Sequence, residues 1–187
     1  MEEGGKYMAF MIKNVVPQDI INEIYDRLVS CVPDAVGNVP PKDSQVTNKT
    51  TSSYFRRLQD IHFKLTPAVS KIFGKELLPT VDHSRFYTKG ATLKLHRDKD
   101  YCEYAVTINI RNVPSDESWC FAVANENNGV WNRFFMSPGD AVFYNGPVEY
   151  HGRNELPYDM CYQTFLYFVD ANGEHAGLGW KNYKELI

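Results

Sequence analysis

The clearest strand and turn signals of the chain lie in Ala141-Val142-Phe143-Tyr144-Asn145-Gly146-Pro147-Val148-Glu149-Tyr150-His151. It begins with four apolar or aromatic residues and ends with four residues rich in β-branched and aromatic side chains. Runs of this length and composition are typical of short strands, and Asn-Gly-Pro between them is a turn signal. We therefore expect strands at 141–144 and 148–151, joined by a tight turn.

The same pattern recurs through the second half of the chain. Short aromatic or β-branched runs alternate with turn residues such as Lys89-Gly90, Asn128-Gly129 and Pro138-Gly139-Asp140. The other predicted strands are 81–87, 93–96, 105–110, 119–124, 131–136 and 163–169. About eight short strands after a helical layer are typical of a double-sheet jelly roll of the cupin type.

The N-terminal part is predicted to be mainly helical. A short lead strand at 7–15 precedes a helix over roughly 17–31, and helical spacing of apolar residues returns at 54–65. Thr66-Pro67 reads as a cap followed by a first-turn proline, so a separate helix is expected from there to about Gly74. The polar, aperiodic segment 32–53 is interpreted as a long loop and a candidate lid.

Length and composition indicate one globular domain. The 187 residues are predicted to form a helical N-terminal layer over about 1–78 and a jelly-roll core over about 79–173. A net charge of −3 argues against a general affinity for nucleic acid. The four cysteines form no CxxC pair, and neither a signal peptide nor a membrane span is recognisable. We therefore expect a reducing, cytoplasmic setting.

The run Leu93-Lys94-Leu95-His96-Arg97-Asp98 carries residues that can bind a metal. Alternate residues of a strand point the same way, so His96 and Asp98 are predicted to share one face. His151 follows on a later strand, and two imidazoles with one carboxylate leave open positions on Fe(II) for an oxidant and a cosubstrate. An HxD tripeptide alone is a weak signal. A later His beyond a Pro-Gly-Asp turn makes the set specific.

Other residues with similar chemistry are less suitable as ligands. Asp100 and Glu103 are alternative carboxylates, but the HxD spacing favours Asp98. We expect His62 on a helix surface and His83 at a loop or strand end.

The longer stretch Arg85-Phe86-Tyr87-Thr88-Lys89-Gly90-Ala91-Thr92-Leu93-Lys94-Leu95-His96-Arg97-Asp98 resembles the aromatic–Gly–HxD signature of Fe(II)/2-oxoglutarate dioxygenases. Prolyl-4-hydroxylase-like members show this signature most plainly. Further stretches at 102–107, 139–144, 151–153 and 163–170 are similar to a bacterial and phage branch of the superfamily, and the resemblance covers roughly 81–173. It implies a double-stranded β-helix, Fe(II) and 2-oxoglutarate as cofactors, and iron ligands His96, Asp98 and His151. The activity it implies is oxygenation, typically hydroxylation.

The family binds the far carboxylate of 2-oxoglutarate with a cation, because a buried carboxylate without a partner is destabilising. Many members have this cation about ten residues after the second His, but residues 160–163 offer none here. Arg153 follows His151 by two residues and is expected to share its face, so a bidentate contact with the cosubstrate is predicted.

Several alternatives for the cosubstrate site stay open. The cation could be Arg111 or Lys94, no such site could exist, or Arg153 could form a surface salt bridge. Tyr87 is expected either to donate its hydroxyl to 2-oxoglutarate or to be an aromatic core residue.

The substrate is not readable from the residues. By resemblance we expect dioxygen and an amino acid or peptidyl side chain, prolyl among the candidates. A cupin-type metal enzyme without 2-oxoglutarate is one alternative, and a non-catalytic jelly-roll binding module is another. Binding of iron and of a dicarboxylate would distinguish the three.

Overall fold

The computed structural model describes residues 9–30, 45–46, 50–53, 58–125 and 129–186, which contain ten strands, two α-helices and three short 3₁₀ helices. The α-helices are α1 (Gln18–Val29) and α2 (Gln59–Phe73). The strands are β1 (Phe10–Ile12), β2 (Thr50–Ser53), β3 (Leu77–Thr88), β4 (Leu93–His96), β5 (Tyr104–Val113), β6 (Trp119–Asn125), β7 (Trp131–Met136), β8 (Ala141–Tyr144), β9 (Glu149–Arg153) and β10 (Met160–Asp170). All eight strands predicted after residue 79 are present, as β3 to β10.

The strands form two antiparallel sheets that face each other. The larger sheet has the order β1-β8-β5-β10-β3-β2, and the smaller has the order β4-β9-β6-β7. Strand β10 lies inside the larger sheet, where it pairs with β3 on one side and β5 on the other. This double-sheet arrangement confirms the predicted jelly roll.

The two faces of the larger sheet are both buried. On β10, Phe165 and Tyr167 point between the sheets, whereas Leu166 and Phe168 point towards the helices. Both helices pack on that outer face through their apolar stripes. Burial on both faces explains why this strand reads as a near-continuous apolar run.

The helical layer differs from the sequence-based expectation at Thr66-Pro67. Helix α2 runs through this pair without a break and ends at Gly74, whose φ of 67° is the left-handed conformation that closes helices. The hydroxyl of Thr66 donates to the carbonyl of His62 at 2.8 Å. Packing of α2 against the sheet holds the two predicted segments in one helix despite the proline.

Most of the predicted lid at 32–53 lies outside the described residues. Its last four residues form β2, which pairs with β3, and Val46 forms an isolated bridge with Leu93. Within the described ranges, neither helix has the length and apolar character needed to traverse a bilayer.

Candidate metal centre

Strands β4 and β9 bring the two predicted histidine ligands together. Cα of His96 is the direct cross-strand partner of Cα of His151, and their ring centroids lie 4.3 Å apart. A register shift between Leu93 and His96 interrupts the alternation of β4. Both imidazoles therefore point into the space between the sheets.

Asp98 reaches the same place from beyond the end of the strand. Strand β4 stops at His96, so Asp98 is not the strand residue that the sequence suggested. Its backbone N–H donates to the carbonyl of Gly146 at 2.9 Å, which ties the chain after β4 to the turn after β8. A contact between two loops therefore positions the Asp98 carboxylate beside the two imidazoles.

The distances suit three ligands of one ion. His96 Nε2 lies 3.6 Å from Asp98 Oδ1, and His151 Nε2 lies 3.4 Å from Asp98 Oδ2. Bonds of about 2.1 Å at right angles would place neighbouring ligand atoms about 3 Å apart, so a small adjustment accommodates a metal. The three residues have ligand atoms that all lie within 4.8 Å of one another.

Backbone carbonyls hold both imidazoles in the tautomer that a metal requires. Nδ1 of His96 lies 2.8 Å from the carbonyl oxygen of Lys94, and Nδ1 of His151 lies 2.9 Å from that of Glu149. A carbonyl only accepts, so Nδ1 carries a hydrogen, which leaves Nε2 as the ring atom available to a metal. Such outer contacts orient metal-binding histidines.

The Asp98 carboxyl is ionised in this setting. Burial acts to raise its pKa, but His151 and His96 outweigh burial and hold the pKa well below its usual range. The Tyr144 hydroxyl lies 3.4 Å from Asp98 Oδ2, and its ring lies 4.7 Å from that of His151. His96 is 14% exposed and His151 only 2%, so the centre opens on the His96 side.

Arg153 points into the interior from the same strand as His151. It is 4% exposed, and its guanidinium donates to the carbonyl of Trp119 at 3.1 Å and to Oε1 of Gln163 at 3.1 Å. Its Cζ lies 4.8 Å from the ring centroids of both Trp119 and Phe121. No carboxylate of the described residues forms an ion pair with it, so the surface salt bridge considered above is wrong.

Two buried phenols lie in the electrostatic neighbourhood of Arg153. Burial raises the pKa of both Tyr87 and Tyr158, and Arg153 acts in the opposite direction on each. Neither hydroxyl has a hydrogen bond of normal geometry within the described residues. Tyr87 also packs edge-on against Trp119, with centroids 4.9 Å apart. Sequence reasoning missed Tyr158, because it lies in the loop between β9 and β10, where no strand pattern marks its orientation.

The other two candidate cations face away from the interior. Lys94 is exposed, because it follows the inward-facing Leu93 by one residue. The register shift between Leu93 and His96 explains why it does not share the face of His96. Arg111 is exposed on the helix side, where its guanidinium lies 4.5 Å from the ring centroid of Tyr25. Neither is placed to contact a ligand between the sheets.

Two histidines lie elsewhere than the sequence suggested. His62 lies on the face of α2 that the larger sheet covers, so its side chain is buried, with its ring edge-on to that of Phe168. His83 lies within β3, stacked on Phe165 and Tyr167. His83 and Tyr87 are four residues apart on β3, so their side chains point to the same, inward side of the sheet. This even spacing could have predicted that placement of His83.

The chain resembles known proteins in its structure and not detectably in its sequence. By sequence, no family model and no curated protein matches the chain. By structure, it is similar to a Pseudomonas putida prolyl-4-hydroxylase at a TM-score of 0.61 and 12% identity, covering 87% of this chain and 92% of that one. A 2OG-Fe(II) oxygenase family oxidoreductase from Burkholderia pseudomallei gives 0.62 and 14%, covering 88% and 85%.

A third similar structure is a Trichoplax adhaerens prolyl hydroxylase in complex with a hypoxia-inducible-factor peptide fragment. It gives a TM-score of 0.63 at 12% identity, covering 88% of this chain and 84% of that one. Likeness at such low identity establishes the fold, and the activity must be argued from the site. The resemblance read from the HxD region is therefore confirmed at the level of architecture: the chain has the jelly-roll fold of the 2OG-Fe(II) oxygenases.

Proposed function

We propose that the chain is a Fe(II)- and 2-oxoglutarate-dependent oxygenase with His96, Asp98 and His151 as iron ligands. One observation carries the cosubstrate assignment: a buried guanidinium, Arg153, has no carboxylate partner among the described residues and lies two residues from His151. A buried charge without a counter-charge is destabilising, so a bound anion would relieve it. The far carboxylate of 2-oxoglutarate fits that requirement.

The residues around the proposed iron site fit the ion's needs. The imidazoles offer their Nε2 atoms to the ion, and Asp98 supplies the negative charge. Three ligands on one side leave positions for a chelating cosubstrate and an oxidant. When bound, iron and 2-oxoglutarate would supply the oxidative chemistry, and the protein the geometry and a dry pocket.

The neighbouring side chains have defined roles in this proposal. Arg153 would bind the far carboxylate, with Gln163 and the Trp119 carbonyl orienting its guanidinium. The hydroxyls of Tyr87 and Tyr158 would donate to the same carboxylate. The rings of Trp119 and Phe121 flank the guanidinium and exclude water from it, which strengthens its attraction for an anion.

For the substrate, we propose an amino acid or peptidyl side chain that undergoes hydroxylation, with prolyl among the candidates. The support is the sequence resemblance, together with neighbours that are named prolyl hydroxylases. We also propose a reducing, cytoplasmic compartment, because the described cysteines, Cys102, Cys120 and Cys161, are free thiols.

Arg153→Gln tests the cosubstrate assignment. The measurement is 2-oxoglutarate affinity of the Mn(II)-loaded protein without oxygen, by calorimetry. We expect a loss of about tenfold or more, because a charge-assisted bond contributes about 1.5–3 kcal/mol. Lys94→Gln and Arg111→Gln are the matched controls and should bind normally.

His96→Ala tests the metal assignment and should abolish iron-dependent formation of succinate. Normal 2-oxoglutarate affinity in Arg153→Gln would refute Arg153 as the cation that binds the cosubstrate. Failure of the metal-loaded, unaltered protein to bind 2-oxoglutarate would favour a cupin-type enzyme that does not use it. Failure of the unaltered protein to bind Fe(II) or Mn(II) would favour a non-catalytic binding module.

A further inference from the structure

The outer face of the smaller sheet carries a groove on the side opposite the metal centre. Its volume is about 570 Å³. Both helices pack on the other sheet, so within the described ranges no helix covers this face. The outward-facing side chains that shape this outer groove are Leu95, Cys120, Ala122, Trp131, Arg133 and Phe135. Residues 152–154, at the end of β9 and just beyond it, border its floor, although the side chain of Arg153 among them is buried.

The strand register explains why a pleated sheet is concave here. On β6, Cys120 lies opposite Phe135 and Ala122 lies opposite Arg133 of β7. On the other side, Ala122 is paired with Gly152 of β9. A row of small residues therefore forms the floor, and large side chains stand beside it.

The walls of the outer groove are apolar and accessible. Leu95 of β4 is 54% exposed, and Trp131 and Phe135 of β7 are 49% and 58% exposed. Single exposed apolar residues are ordinary, but several around one concavity are typical of a binding site.

Arg133 gives the outer groove a positive charge. It lies between Trp131 and Phe135 on the outward side of β7 and is exposed. Among the described residues it forms no ion pair, and none of the described lining residues is acidic. A guanidinium of this kind is suited to bidentate contact with a carboxylate.

We propose that the outer groove binds a small amphipathic carboxylate, an aliphatic or aromatic chain that ends in one acid group. The apolar part would lie on Ala122 and against Trp131 and Phe135, and the acid would meet Arg133. The volume falls within the range of about 300–1,000 Å³ that is typical of small-molecule sites. Ten described residues line it, whereas a stable protein interface uses roughly 20–30 on each side.

The test compares two probes that differ in charge, 4-phenylbutyrate and 4-phenylbutylammonium. The full chain is loaded with Zn(II), a diamagnetic ion that histidine and carboxylate ligands bind, and with 2-oxoglutarate, so that Arg153 does not capture the probe. The readout is the indole N–H resonance of Trp131 on the outer face, titrated by nuclear magnetic resonance. We expect a saturable shift with the carboxylate and a much weaker one with the ammonium ion.

Two variants assign the binding to this groove. Arg133→Gln should weaken 4-phenylbutyrate binding by about tenfold, because a charge-assisted contact is lost. Ala122→Leu should abolish it by filling the floor. Arg111→Gln, an exposed arginine on the opposite sheet, should leave it unchanged.

Several results would overturn the proposal. These are the absence of a saturable shift, equal affinity for the two probes, or unchanged binding in Arg133→Gln, a surface variant expected to fold normally. Dimerisation in solution that Ala122→Leu abolishes would assign the groove to a second copy instead. Binding of 2-oxoglutarate is measured separately, by calorimetry. Because Trp131 is on the outer face, its resonance reports binding in the groove whether or not 2-oxoglutarate binds.

Discussion

Gly146 is where a single added methyl group should damage the metal centre. An ideal Cβ at this position would lie 2.5 Å from the carbonyl oxygen of Cys102. It would also lie 2.8 Å from both Cβ and Oδ2 of Asp98. Reaching an ordinary contact of about 3.4 Å requires shifts of roughly 0.6–0.9 Å, and two of the three neighbours belong to the proposed iron ligand.

Gly146→Ala should therefore lower both stability and metal affinity. Overpacking of this kind costs about 1–3 kcal/mol, and each kcal/mol lowers the melting temperature of a chain of this size by about 2–4 °C. Disturbing groups that orient a ligand typically weakens metal binding by about 10–100-fold. Because Asp98 itself must move, we expect at least the lower figure, about tenfold.

The assay is Mn(II) affinity measured by electron paramagnetic resonance, beside thermal unfolding of the same samples. Gly177→Ala is the matched control, since a Cβ there meets nothing within 4 Å. The reasoning is refuted if folded Gly146→Ala binds Mn(II) normally, or if Gly177→Ala loses as much affinity. Asp98→Asn covers the case in which Gly146→Ala does not fold, and it should also lose the metal.

Two further predictions test the interior. Tyr158→Phe should weaken 2-oxoglutarate binding by about threefold to tenfold and leave Mn(II) affinity unchanged, because it removes one neutral donor beside Arg153; an unchanged cosubstrate affinity would contradict the role. Burial lowers the pKa of His62 to about 3. Below pH 6.5 the His62 imidazole is therefore protonated in the unfolded chain and stays unprotonated in the folded chain until the pH approaches 3. The unfolding free energy is thus unaffected by this group above pH 6.5 and falls as the pH is lowered towards 3. His62→Phe should remove about 2 kcal/mol of the loss between pH 7 and pH 5 in urea unfolding; an equal loss in both proteins would refute it.

The strands of the jelly roll could be read from the sequence because their signals are local. Short aromatic runs and turns such as Asn145-Gly146-Pro147 act over a few residues, and the strands predicted from them are all present. The ends were less accurate: β3 begins at Leu77 and β10 extends to Asp170. Pairing partners decide where a strand ends, and these are distant in sequence.

The cluster of His96, Asp98 and His151 was predictable for a similar reason. His96 and Asp98 are two residues apart, and Arg153 is two residues from His151, so local spacing already groups them in pairs. One detail of the prediction was wrong. Asp98 is held by a loop contact with Gly146 and does not lie on the face of a strand.

Local patterns were enough to predict the strand content, the three clustered residues that are candidate metal ligands, and the inward side of Arg153. Four features depend on the three-dimensional packing: Lys94 points outwards, His62 is buried, Tyr158 lies near Arg153, and small residues align into an outer groove. The first set depends on contacts within a few residues. The second depends on register and packing between strands far apart in the chain, which no local pattern encodes.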